Sequence, residues 1–120
     1  MCMLGDKITK VDIIPQDKPI YAWKLVRVVG PERFVPLVSA NYPDDGWERF
    51  ETYSAHTKPR KDAQSRTGFH AVKSPSRVLI GGTRKGTMLV PVKLWGKVIT
   101  HDNSGHSKYA GYRAEFMEIL

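Results

Sequence analysis

The sequence predicts a mainly β fold, α+β by class: a single compact twisted sheet or half-barrel with one short helix. Three observations carry that expectation. Thr87 to Thr100 is the longest apolar run, and Met88, Val90, Val92 and Leu94 alternate with Leu89, Pro91, Lys93 and Trp95, the period-two pattern of a strand. Ile20 to Val29 is a second apolar run, polar only at Lys24 and Arg27, as in an interior strand of the sheet buried on both faces. Between the apolar segments lie Gly-Pro, Pro-Asp-Asp-Gly and Gly-Gly clusters, which punctuate a chain into short extended pieces.

In chain order, Ile8 to Ile14 reads as a short strand ended by Pro15. Gly30-Pro31 turns the chain after Ile20 to Val29, and Arg33 to Val38 returns as a hairpin partner. Tyr42 to Gly46 is a turn, because proline presets φ, aspartate bonds locally and glycine accepts positive φ. Trp47 to Tyr53 reads as one further strand with Trp47 and Tyr53 on one face. Ala55 to Thr67 is polar, basic and without periodicity, hence a loop. Gly68 to Val72 is a short strand, and Ser74-Pro75-Ser76-Arg77 opens the expected helix, which Gly81-Gly82 stops after about Ile80. In the long apolar run, Gly96 permits a bend or bulge. Ala114 to Leu120 closes the chain as a strand or a helical turn.

The 120 residues are enough for one domain with a modest core. A lone cysteine, Cys2, rules out an internal disulfide framework and fits a reducing compartment. No apolar run reaches the roughly 20 residues of a membrane helix. Asp6 and Asp12 stand among the N-terminal lysines with no signal-peptide core. A cytoplasmic protein without membrane attachment is expected.

The net charge of +7 is localised. From His56 to Gly86, Lys58, Arg60, Lys61, Arg66, Lys73, Arg77, Arg84 and Lys85 stand against Asp62 alone, and the remaining residues carry equal numbers of acids and bases. Such a concentration can attract nucleic acid, a nucleotide or an acidic protein face, although it also serves simply as a solvated surface.

Few residues offer chemistry. His70, in Gly-Phe-His-Ala-Val, is a candidate base or hydrogen-bond donor beside basic neighbours. Arg113 and Glu115, two apart on a strand, would share a face and either pair with each other or grip an anion; Glu115 and Glu118 are candidate bases. His101, Asp102 and His106 lack the further ligands a zinc site needs, so no metal is expected. Gly81 to Gly86 has the glycines and cations of a phosphate-holding turn without P-loop spacing, and no motif calls for a cofactor. Cys2, exposed if Met1 is removed, is a positional candidate for a nucleophile. The sequence leaves the oligomeric state open.

Tyr21-Ala-Trp-Lys-Leu-Val-Arg, Gly68-Phe-His-Ala-Val-Lys-Ser, Val90-Pro-Val-Lys-Leu-Trp-Gly-Lys-Val and Gly111-Tyr-Arg-Ala-Glu occur in that order after a Met-Cys start. This set resembles a group of small, largely uncharacterised proteins of phages, prophages and bacteria. The resemblance implies a phage-encoded accessory protein acting in the host cytoplasm and brings no activity with it. A looser likeness is to mono-ADP-ribosyltransferases, in the order Arg27, the Gly-Phe-His-Ala block, then Glu115 or Glu118. It implies NAD held by the early arginine, with the late glutamate directing attack on the ribose. The leading expectation is a non-catalytic binding module that engages an anionic partner through Lys58, Arg60, Lys61, Arg66, Lys73, Arg84, Lys85 and Arg113. That partner is nucleic acid, a nucleotide or an acidic host protein, which the module inhibits or sequesters. An NAD-dependent transferase and a structural or assembly subunit are the alternatives.

Overall fold

The computed structural model describes residues 7–36, 46–61, 67–75, 86–102 and 110–120. Eight strands follow one another: β1 (Ile8–Ile14), β2 (Ile20–Gly30), β3 (Arg33–Pro36), β4 (Trp47–Glu48), β5 (Thr52–Ser54), β6 (Phe69–Val72), β7 (Thr87–His101) and β8 (Gly111–Ile119). They belong to a single sheet, and the named pairings are antiparallel. The described residues contain no helix. The helix expected from Ser74 to Ile80 falls, beyond Pro75, outside the described residues, as does Cys2.

The long strand β7 organises the sheet, because its fifteen residues are long enough to pair with three others. One edge meets β2 from Thr87 to Leu94 and then β1 from Gly96 to His101. β1 and β2 therefore lie end to end, separated by residues 15–19, where Lys18 N–H donates to the Pro15 carbonyl at 3.2 Å. The other edge of β7 pairs with β8, whose far edge carries β6 and β5, also end to end. β6 in turn meets β2 at Trp23 and Val72. The pairings β2–β7–β8–β6–β2 form a closed circuit, so the sheet curls on itself.

Burial on the inside of this curl follows the apolar alternation. Ala22, Val26, Val90, Val92, Leu94, Val98, Ala114, Met117 and Ile119 form one cluster with Ala71, Phe34 and Trp47. A smaller group on the other face joins Val72 to Trp23, Leu25 and Leu89. β2 has strands on both edges, as expected of an interior position, but the expected burial of both its faces is not met: Tyr21 is 64% exposed and Val29 52%, because one face lies on the outside of the curl.

Two boundaries differ from the sequence expectation. Trp47 to Tyr53 is two short strands, since Phe50 adopts a left-handed backbone with φ of 66°. Trp47 accordingly pairs with Phe34, while Tyr53 pairs with Met117 on β8. The C-terminal segment is a strand and begins earlier than its apolar pattern indicates, at Gly111.

Gly96 is indeed a bulge. With φ of 79° it places two residues, Gly96 and Lys97, opposite the single residue Glu115. The carboxylate of Glu115 accepts the Lys97 amide at 3.0 Å through Oε1. A β-carbon at Gly96 would lie 2.6 Å from the Phe116 ring and 2.7 Å from that same oxygen. Phe116 stacks on Trp95, with centroids 5.9 Å apart.

Candidate functional site

The basic segment after β5 is held to the sheet by its backbone, which leaves its charged ends outside. Ala55 N–H donates to the Glu115 carbonyl at 2.8 Å. Pro59 is buried, and Gly68, with φ of 88°, makes room for it: a β-carbon there would lie 3.1 Å from Pro59 and 3.0 Å from the Ala114 carbonyl. Lys58, Arg60 and Lys61, flanking that anchored proline, are exposed.

Arg113 forms the floor beneath them. It is fully buried, and its guanidinium donates inward: Nε to His101 Nε2 at 2.9 Å, Nη2 to the Arg60 carbonyl at 2.8 Å, and Nη1 to the Thr67 carbonyl and hydroxyl at 3.1 and 3.2 Å. The Thr67 hydroxyl also accepts Arg60 N–H at 2.8 Å. One planar cation thus ties residues 60 and 67 together from below, a task suited to the fixed fork of an arginine. Arg113 is therefore withdrawn from the set of surface anion ligands expected from sequence. Its observed contact is with the Arg60 backbone.

Glu115 does not pair with Arg113. Its Oε1 caps the bulge, and its Oε2 lies 3.6 Å from the Lys58 ammonium. The Lys58 side chain is 71% exposed and Glu115 15%, so solvent screens the pair and leaves Lys58 much of its reach. Lys73 is exposed at the end of β6, with its ammonium 5.6 Å from the centre of the Tyr112 ring. Burial raises the Tyr112 hydroxyl pKa, and the nearby charge of Lys10 opposes that shift. Arg66, Arg84 and Lys85 lie outside the described residues.

The residues of the NAD-dependent reading do not converge. His70 is half-buried on β6 opposite Arg113, and its carbonyl is occupied by Lys24. Arg27 pairs with Thr87, whereas Glu115 sits across from Gly96, nine residues further along β7. That is about 30 Å of extended chain, too far for one ligand to be held by both. Glu118 lies opposite Lys93, with its carboxylate 3.9 Å from that ammonium, and belongs to neither neighbourhood.

No protein-family model, curated protein or solved structure matches the chain.

Two buried polar features escape a reading of the sequence. The first is His101, placed by its loop neighbours among metal candidates but fully buried as an acceptor for Arg113. An arginine Nε–H is always protonated, so His101 Nε2 carries the lone pair and the ring is not an imidazolium in this arrangement. The second is Lys24, 7% exposed within β2. Its ammonium donates to the His70 carbonyl at 2.6 Å and lies 5.4 Å from the Trp47 ring centre. Burial lowers its pKa from 10.5 to about 8. Lys24 breaks an otherwise apolar run, and that break was the available signal.

Proposed function

We propose that the chain is a non-catalytic binding module that engages an anionic partner through the basic segment at Lys58, Arg60 and Lys61. The single observation that carries this reading is the division of labour between buried and exposed cations. Arg113 spends its donors on the backbone of residues 60 and 67, while the three neighbouring cations stand exposed over it. A merely solubilising charge run needs no such foundation, whereas a binding surface benefits from lost backbone freedom before the partner arrives. Arg66, Arg84 and Lys85 extend the same charged quarter of the sequence.

The partner is nucleic acid, a nucleotide or the acidic face of a protein. The resemblance to small phage proteins favours a host component, met in the host cytoplasm and sequestered or inhibited there. The dispersal of Arg27, Glu115 and Glu118 gives the NAD-dependent alternative no common site.

The test is binding of a labelled single-stranded oligonucleotide, ATP and an acidic peptide, each at low and moderate salt. A nucleic-acid partner gives an affinity that falls steeply with salt, because phosphate contacts release counterions. The paired substitution Arg60→Glu and Lys61→Glu should weaken binding of whichever probe binds. Unchanged binding in that variant would remove the basic segment from the interface, and the absence of binding to every probe would argue against a general anion-binding module.

A further inference from the structure

We propose that β1 is a self-association edge, through which two copies of the chain pair β1 to β1, antiparallel, about a two-fold axis at Val11. β1 ends the sheet: it pairs with β7 on one side, and no strand among the described residues pairs with its other side. An open strand edge presents unpaired backbone donors and acceptors and is a template for another strand. Here the edge also carries exposed apolar side chains. Val11 is 37% and Ile13 78% exposed, the latter more than any other large apolar residue described.

The occupant is fixed by the sequence of the strand itself, Ile-Thr-Lys-Val-Asp-Ile-Ile from Ile8 to Ile14. A two-fold axis perpendicular to a continuous antiparallel sheet sets residues of the same face against each other. Three central registers meet that condition. Centring on Lys10 opposes two lysines, and centring on Asp12 opposes two aspartates, both destabilising. Centring on Val11 sets each Lys10 against the partner copy's Asp12; regular pairing reaches no further toward the N-terminus, because β1 is bulged between Ile8 and Lys10 against β7. Lys10 and Asp12 already share a face within one chain, with their charged atoms 3.1 Å apart and both side chains accessible. Two copies would join these into a four-charge cluster. On the opposite face the two Val11 side chains would meet, with the two Ile13 side chains diagonal to them and within reach.

Net repulsion between copies does not oppose this pairing locally. The +7 excess lies between His56 and Gly86, whereas Ile8 to Ile14 is neutral. The resulting interface is isologous, the commonest form of homodimer contact, and it extends the β7 side of the sheet without using the basic segment.

The test is solution mass by sedimentation or light scattering over a concentration series, for the full chain and three variants. The full chain should reach twice the chain mass. Asp12→Lys should return it to monomer, because each Lys10 would then face a lysine. The double exchange Lys10→Asp with Asp12→Lys should restore the dimer, since it recreates the alternation in reverse. Ile13→Lys, on the other face, should weaken association, with a β-sheet circular dichroism spectrum verifying the fold of each variant. A full chain that remains monomeric throughout overturns the proposal. So does a dimer indifferent to Asp12→Lys, which would use another surface, or one that the double exchange fails to restore, which would exclude this register.

Discussion

Arg113 Nε donates to His101 Nε2 at 2.9 Å, between two side chains that are both fully buried. The remaining guanidinium nitrogens hold the Arg60 and Thr67 carbonyls, so the bond links the interior of the sheet to the base of the basic segment. His101 fixes the plane of the guanidinium, and the guanidinium fixes the separation of residues 60 and 67. An exposed cation cluster is thereby built on a buried cation.

Replacing Arg113 by methionine should destabilise the fold by roughly 2–4 kcal/mol, because the buried His101 acceptor and the partly buried Arg60 and Thr67 acceptors lose their donor at once. Arg113→Lys should recover little of this, since one ammonium cannot serve His101, Arg60 and Thr67 in their fixed geometry. Urea unfolding measures the loss. Trypsin adds a local readout: cleavage after Arg60 or Lys61 should accelerate in both variants beyond what the global stability change accounts for. Unchanged cleavage at matched stability would show that the segment does not depend on Arg113.

The Gly96 bulge makes a separate prediction about Glu115. Gly96→Ala combines a positive φ with contacts of 2.6 and 2.7 Å to Phe116 and Glu115, and should cost at least about 2 kcal/mol. Glu115→Leu removes the acceptor of the Lys97 amide and should cost about 1–3 kcal/mol. Glu115→Gln keeps an oxygen there and loses only the screened partnership with Lys58, so its cost should stay within about 1 kcal/mol. Thermal unfolding of the three variants distinguishes the bulge-capping role. A Glu115→Gln protein as damaged as Glu115→Leu would mean that the charge, and not the acceptor, is what the site uses.

The strands were legible because period-two alternation and turn residues are local signals. β1, β2 and β7 appear in the sequence nearly at their observed ends, and Gly96 announces its own bulge. The break at Phe50 was hidden, since left-handed backbone in an aromatic residue has no compositional signature. The site was legible only as charge. Lys58, Arg60 and Lys61 are exposed as a basic run predicts, but Arg113 is drawn inward by two carbonyls and a histidine distant in sequence. Nothing near Arg113 in the chain distinguishes a buried, saturated guanidinium from one that meets a ligand. Lys24 was visible as an interruption of β2, yet its depth depends on the curl that brings Trp47 and the His70 carbonyl around it.

That depth makes Lys24 the source of an unusual stability profile on the alkaline side. Its pKa is lowered by burial to about 8, against 10.5 for the unburied side chain. Below pH 8 the lysine is charged in both folded and unfolded chains, and the fold bears the full cost of an ammonium removed from water. Between about pH 8 and 10.5 the folded protein binds fewer protons than the unfolded one, so stability rises with pH through this window. The shift corresponds to about 3 kcal/mol as an upper figure. Tyr112 acts oppositely above its ordinary range: burial raises its pKa, so the unfolded chain gives up the phenol proton first and stability falls as pH rises there. Lys24→Met should abolish most of the rise between pH 8 and 10, while stabilising the protein near neutrality if the lost hydrogen bond to the His70 carbonyl costs less than the buried charge. Urea midpoints at half-unit pH steps decide the matter: a parent protein whose stability is flat or falling across this window would show that the ammonium is not desolvated to the extent its burial implies.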